Sequence, residues 1–350
     1  MAKKVYQQYL DQIRSAINEP NYLNNKIVNL SSKADSGTQN FLLENVNDLS
    51  VETGLTSLTE LLGKRGPIKV SAGDHPDFAY LRHSKEVKCQ HYIVSVFVDV
   101  KNSTNFFRKY SHDQIAMIIQ TIQSAAIHTC SLFDGHIQRQ QYDGLFLYFG
   151  GKNKSKAEAI DDALKAVAFF TYFIKYELPE IFDANELDKI YTRAGIDFGD
   201  DDEVSWYVFG VNGCSELTTV SLHTSLAPKM QSYAKHNGVV IGENLTDKVP
   251  GLNQYTTTPY DGDEQVPLIF KNPNYKQFDF DWQRYLADSF NFVKRFGDKI
   301  EIDYEHESQN ITSFDRKIDM LKNNQAAIST GGILGSTGHV ISSNKFYGWV

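Results

Sequence analysis

The chain has little cysteine and little positive charge, and both shortages narrow what it can do. Its three cysteines, Cys89, Cys130 and Cys214, are odd in number, far apart and without a CxxC pair. That spacing excludes a disulfide framework and a thiolate zinc site, and it suits a reducing compartment. Lys and Arg number 35 against 43 Asp and Glu, a net charge of −8. A broad nucleic-acid footprint needs a basic face, so no nucleic-acid partner is expected. No uninterrupted apolar run reaches the roughly 18 residues of a membrane span, and the opening MAKKVYQQYLDQIRSAINEP holds no apolar signal core. The expectation is a soluble, cytoplasmic protein with no membrane partner. There is no internal repeat either.

What is present is 350 residues, 41% of them hydrophobic, enough for one full core and a smaller second unit. Val5, Leu10, Ile13 and Ile17 recur at helical spacing before Pro20, which stops a helix. From 24 to 73 the sequence is rich in Asn, Ser and Gly, with one short periodic piece, LTSLTELLG. Residues 1–89 therefore read as a helical and loop extension. The stretch 92–98 is almost all apolar and rich in valine, as a central strand covered on both sides should be. A helix follows over 112–133 through Ile115, Ile118, Ile119, Ile122 and Ala126. Then come a hairpin turning at YDG, a helix over 154–176, strands over 192–199 and 203–210, a helix around 216–236 and a strand over 239–242. This order predicts an α+β domain over 90–250. Its sheet contains antiparallel pairs and is flanked by helices, because the hairpin interrupts the parallel crossovers. Past 250 the composition shifts to Tyr, Phe, Asn and Asp, which suggests a separate accessory unit over 251–350. Its closing glycines lack the GK[ST] of a phosphate loop and read as turns between short strands.

Two aspartates carry the chemistry. Asp99 ends the first strand, in FVDVKNSTNFF, and Asp143 sits 44 positions later in the hairpin turn. The amides of Asn102, Ser103, Thr104, Asn105 and Phe106 would open a helix there and face phosphate oxygens. Taken singly, Asp99, Ser103 or Thr104 reads equally as a helix cap and Asp143 as an ordinary Asp-Gly turn residue. Taken together they say more, since a hairpin turn beside a central strand brings the two carboxylates alongside each other. Close carboxylates repel unless a cation sits between them, and magnesium or manganese prefers such oxygens completed by substrate phosphates.

The ordered set FVDVKNST, FDGHIQRQQYDG and RAGIDFG resembles the catalytic domain of class III nucleotidyl cyclases over roughly residues 90–245. The resemblance implies a ferredoxin-like, palm-type sheet with Asp99 and Asp143 as ligands of two divalent ions, Mg²⁺ or Mn²⁺, assisted by the Val100 carbonyl. Such ions activate a ribose 3′-hydroxyl and neutralise the phosphates as it displaces pyrophosphate. Arg193 matches the family's Arg-x-Gly-Ile arginine, although an ion pair beneath the sheet explains it as well. The family's site forms between two catalytic domains, so a homodimer with shared sites is implied.

The departures from that family are informative. Arg139 stands four residues before Asp143, where purine cyclases carry a base-reading Lys or Glu, and Tyr142 replaces a glycine. Ser225 and Lys229 occupy the Asn and Arg positions that support the transition state, Lys229 as a point charge without arginine's planar fork. Thr218 or Thr219 falls at the second base-reading position. A site so altered should not read adenine or guanine in the usual way, and the Tyr142 ring can fill space that a smaller base leaves. The set looks like the pyrimidine cyclases of bacterial Pycsar antiphage systems. That likeness implies conversion of UTP, ahead of CTP, to the cyclic monophosphate and pyrophosphate, with a cyclic-nucleotide-activated effector downstream.

Three other readings stand beside it. One is a purine cyclase. Another is a degenerate cyclase-like domain that binds nucleotide or partner without catalysis, favoured by the lost Asn and Arg and opposed by the retained aspartates. The third is a polymerase palm, opposed by the acidic balance. His223 and His236 read as structural or solvated residues, Asp197 as a support or cap, and Asp200–Glu203 as a solvated turn. The aromatics of 270–304 read as core packing.

Overall fold

The computed structural model describes residues 4–19, 55–64, 68–211 and 213–303, and two short strands at 332–334 and 340–342. The remaining lead-in and tail residues lie outside this description. The main strands are β1 (Ser71–Ala72), β2 (Ile93–Lys101), β3 (His136–Gln141), β4 (Gly144–Phe149), β5 (Tyr191–Gly199), β6 (Ser205–Val211), β7 (Cys214–Val220), β8 (Gly238–Gly242) and β9 (Asn274–Phe280). The longer helices are α1 (Gln7–Asn18), α2 (His112–Leu132), α3 (Lys156–Tyr172), α4 (Leu222–Tyr233) and α5 (Trp282–Ser289).

The central sheet runs β1-β3-β4-β2-β5-β8-β9, with Thr256–Thr257 at its far edge. Only β1 with β3 and β5 with β8 pair in parallel; every other pairing along this path is antiparallel. The chain is α+β with a mixed sheet, as the hairpin pattern predicts. Strand periodicity divides the side chains of β2 between two faces. Val94, Val96, Val98 and Val100 share one buried cluster with Ile118 and Ile122 of α2 and Val167 and Phe170 of α3. Ser95 and Asp99 instead bond to Thr224 and Gln231 of α4. Helix α4 lies so close to β5 that a Cβ on Gly195 would fall 2.0 Å from the Ala227 carbonyl oxygen. Only glycine fits there.

Two sequence expectations need correction. Residues 216–220 are strand, not helix: β7 pairs antiparallel with β6 from Cys214 to Val220. Leu217 and Thr219 are buried and Val220 is exposed, the alternation of a half-covered strand, and the run Thr218-Thr219-Val220 is β-branched. Helix α4 starts only after Ser221, whose side chain accepts the His223 N–H. Likewise 102–106 do not open α2. Ser103–Arg108 form a short tight helix of six residues, and α2 begins at His112 behind a capping box between Ser111 and Gln114.

The accessory region expected over 251–350 begins inside the main sheet. Strand β9 pairs with β8, and Phe280, Trp282, Leu286 and Ile300 join the central buried cluster. In the tail, Gly332–Leu334 pairs antiparallel with Val340–Ser342, the short strands that the glycine turns suggested. Among the described residues one helix, α2, is long and apolar enough to cross a membrane, and 72% of its most apolar window is buried inside the protein. Counting uninterrupted apolar residues passes over it because polar residues are interspersed.

The segment ahead of β2 is held by buried histidines. The His75 ring lies 5.0 Å from Phe78, 4.9 Å from His136 and 5.3 Å from Trp206. Burial, with the charge of His136 second, lowers the His75 pKa from 6.5 to about 4, and burial lowers His136 too. Both rings are therefore neutral in the folded state and take up protons only on unfolding. The His75 contribution is complete above pH 6.5 and is lost as pH falls toward 4. Between pH 7 and pH 5, wild type should lose about 2 kcal/mol more stability than a His75→Phe protein, as read from urea midpoints.

Candidate active site

Asp99 lies two residues before the end of β2, opposite Gly144 of β4 and Arg193 of β5. Its Oδ2 accepts from Arg193 Nη2 at 2.7 Å and from Gln231 Nε2 at 3.0 Å. Asp143 lies in the turn between β3 and β4. Its backbone carbonyl accepts the Val100 N–H at 2.8 Å, and its Oδ2 accepts from Ser103 Oγ at 2.8 Å. The strand end and the turn are thereby laced together, and Asp99 lies in register with Gly144, the residue after Asp143.

Among the described residues neither Asp99 Oδ1 nor Asp143 Oδ1 accepts a hydrogen bond. Arg193, the partner of Asp99, has a buried Nε with no acceptor among the described residues. A buried donor without a partner calls for an explanation, and an anionic ligand oxygen would supply the missing acceptor. No group of three or more His, Cys, Asp or Glu arranged to hold a metal occurs among the described residues. The carboxylate pair nevertheless suits Mg²⁺ or Mn²⁺, which accept few protein ligands and complete their shells with water and phosphate oxygens. Val100 contributes its side chain to the core and its N–H to the turn.

Of the expected phosphate-facing residues, Ser103 is buried against Asp143 and Phe106 is buried edge-on to Phe182. Asn102 holds a left-handed backbone at φ 73°, with its amide donating to the Lys189 carbonyl. Thr104 is exposed and Asn105 half-buried, its N–H donating to the Asn102 carbonyl.

Phe97 and Phe146 stand on the α4 face of the sheet, half-buried, with ring centroids 6.4 Å apart. Arg139 is opposite Phe146 in register and is ion-paired with Glu216 of β7. Gln138 donates to the same glutamate at 3.0 Å and to the Leu217 carbonyl at 2.9 Å. Sequence reasoning missed Glu216, because nothing local says that β7 folds back over β3. Tyr142 is half-exposed near Phe107. Thr218 and Thr219 do not face open space. Both hydroxyls bond the Tyr148 hydroxyl, at 3.2 and 3.0 Å, and Thr219 continues to Thr224 at 2.8 Å and thence to Ser95 at 2.9 Å.

Ser225 and Lys229 are exposed one turn apart on α4, while Leu226, Ala227, Met230 and Gln231 are buried. Ser225 Oγ donates to the Ser221 carbonyl at 3.1 Å, and the Lys229 ammonium has no partner among the described residues. The structure thus pairs Asp99 with Arg193, joins the Asp143 turn to the same strand through its backbone, and leaves Ser225 and Lys229 exposed.

The remaining candidates are structural. Asp197 is fully buried, accepting from the Tyr275 hydroxyl at 2.6 Å and paired with His223 Nδ1 at 2.9 Å. Burial raises its pKa. Burial would lower that of His223, but the bond and charge of Asp197 outweigh it and raise it. His236 is exposed and stacks on Tyr191 at 4.0 Å. Asp200 pairs with Lys156 and Lys248, as in a solvated turn.

No family model matches the chain. It is similar to a protein named cytidylate cyclase from Staphylococcus aureus, 34% identical over 285 residues that make up 79% of this chain and 65% of that one. Two Escherichia coli proteins of the same name are 29% and 28% identical over 67% and 61% of this chain, and 53% and 48% of their own lengths. The chain therefore spans less than two thirds of the curated relatives it matches. Among solved structures, the guanylyl cyclase Cya2 superposes with a TM-score of 0.44 at 12% identity, over 54% of this chain and 91% of its own. The adenylyl cyclase CyaB from P. aeruginosa gives 0.45 at 12%, over 55% and 95%.

Proposed function

We propose that this chain is a metal-dependent nucleotidyl cyclase that converts CTP to 3′,5′-cyclic CMP and pyrophosphate. The observation that carries the proposal is the carboxylate pair. Asp99 and Asp143 each offer one unused oxygen, and the arginine paired with Asp99 has a buried nitrogen that lacks an acceptor. Divalent ions held by these two side chains would activate the ribose 3′-hydroxyl and neutralise phosphate charge. Arg193 supplies a donor to a phosphate oxygen. The exposed Lys229 supplies a mobile positive charge, and Ser225 a hydroxyl donor, to a reacting triphosphate outside their own chain.

That last role requires a second copy. A homodimer is supported by the outward aim of Ser225 and Lys229 and by apolar side chains on β6 and β7 that face solvent: Val208, Phe209, Val211 and Val220. A second-messenger role in antiphage defence, acting on a cyclic-nucleotide-activated effector from a cytoplasmic location, extends the same reading. The region after 250 would then sense the trigger.

The choice of base rests on Arg139 and Glu216 beside the rings of Phe97 and Phe146, which offer a stacking face. Cytosine presents an exocyclic amino donor next to two acceptors, N3 and O2. A carboxylate can take the amino group while a guanidinium donates to the acceptors. Uracil puts a carbonyl where that amino group stands. The relatives' name agrees with this pairing, so CTP replaces the UTP preference that resemblance alone suggested. Incubating purified protein with each of ATP, GTP, CTP and UTP and Mn²⁺ should yield cyclic CMP as the chief product by mass spectrometry. Cyclic UMP would overturn the base assignment and a purine product the pyrimidine reading. No cyclic product from any of the four would leave a nucleotide-binding domain without catalysis.

A further inference from the structure

We infer that Gln231 is a positioning residue that keeps one oxygen of Asp99 open to a cation. The inference rests on the metal-binding reading of Asp99 above. Gln231 is 6% exposed, on the inner face of α4. Its amide donates to the same carboxylate oxygen that Arg193 uses, at 3.0 Å against 2.7 Å. Arginine and carboxylate side by side tend to close into a bidentate fork with two parallel bonds. Here the fork is incomplete. Arg193 reaches Asp99 through Nη2 alone, and its Nε remains a buried donor with nothing to bond.

An unused donor on one partner and an unused acceptor, Oδ1, on the other would normally find each other, since each gains a charge-assisted bond. The Gln231 amide holds Oδ2 from the helix side, and with that oxygen fixed from two directions the carboxylate is not free to rotate into the fork. The Gln231 bond, with one charged partner, therefore stands in the way of a second bond between two charged partners. The residue is an amide for a reason: a cation here would compete with the metal, and an apolar side chain would not hold Oδ2. Hydrogen bonds behind a metal ligand commonly set its affinity by tenfold or more.

Two substitutions at this position should move metal binding in opposite directions. Gln231→Met keeps length and burial but removes the donor, so the fork can close over Oδ1. The Mn²⁺ dissociation constant of nucleotide-free protein should rise about tenfold. Gln231→Glu places a carboxylate beside Arg193, draws the guanidinium from Asp99 and adds negative charge near the cation, so binding should tighten. Electron paramagnetic resonance of free Mn²⁺ measures both without reference to turnover, and melting curves confirm that each variant is folded. A residue that merely packs α4 against the sheet would weaken binding in both variants alike. That result, or any other pattern without opposite shifts, overturns the inference. Wild-type protein that binds no Mn²⁺ would remove the metal reading itself, a failure distinct from wild type that binds while the variants do not diverge.

Discussion

Asp143→Ala is expected to lower cyclic-nucleotide formation at least about a thousandfold, because one of two metal carboxylates would be gone and each such interaction supplies several kcal/mol to the barrier. The fold should survive. The turn is held by the Asp143 carbonyl, which alanine retains, and only the Ser103 hydroxyl loses its acceptor, a cost of about 1 kcal/mol. Asp99→Ala is a different experiment. It would strand the Arg193 guanidinium, whose Nε already lacks a partner, and leaving that donor unpaired should cost about 1–3 kcal/mol of stability beyond any loss of activity. Asp99→Asn is the cleaner probe, since an amide oxygen can still accept from Arg193 while the charge that binds metal is removed. Steady-state rates with Mn²⁺, set beside melting temperatures, separate the two effects. An Asp143→Ala protein that keeps a tenth or more of wild-type turnover would defeat the assignment.

The part of this site that was legible in the sequence is the part built from local pattern. Five valine and isoleucine residues in 93–100 can only be a covered strand, and an Asp-Gly turn between alternating apolar residues can only be a hairpin beside it. Those two facts put the strand end bearing Asp99 beside the turn bearing Asp143. What was not legible depends on contacts across long sequence separations. Glu216 and Gln231 reach Arg139 and Asp99 over 77 and 132 positions, and neither sits in a pattern that announces a partner. The strand at 214–220 merges with the following helix in the sequence pattern, because SELTTV has no turn residue before Ser221 to divide them. The sheet's continuation past 250 was hidden by composition. The abundance of Tyr, Phe and Asp looked like a different unit, yet Tyr275, Gln277 and Phe280 are buried in β9 beside β8.

Lys229 raises the sharper question, because the role proposed for it requires a second chain. Its ammonium is exposed on the side of α4 away from the sheet, whereas Gln231, two residues on, touches Asp99 from the inner side. On the proposed reading, one helix presents its two faces to two different sites: its own metal carboxylates within, and another chain's substrate without. Lys229→Ala should therefore lose about a hundredfold or more in turnover, the usual consequence of removing a charge aimed at a transition state, with little change in stability. The decisive result comes from mixing it with Asp143→Ala. In a heterodimer of the two inactive proteins, one site collects both defects and the other collects neither. Random exchange places half of all chains in such heterodimers, each with one of two sites intact, so the mixture should recover about a quarter of wild-type activity. If Lys229 acted on its own chain's metals, each site would carry one defect and mixing would restore nothing.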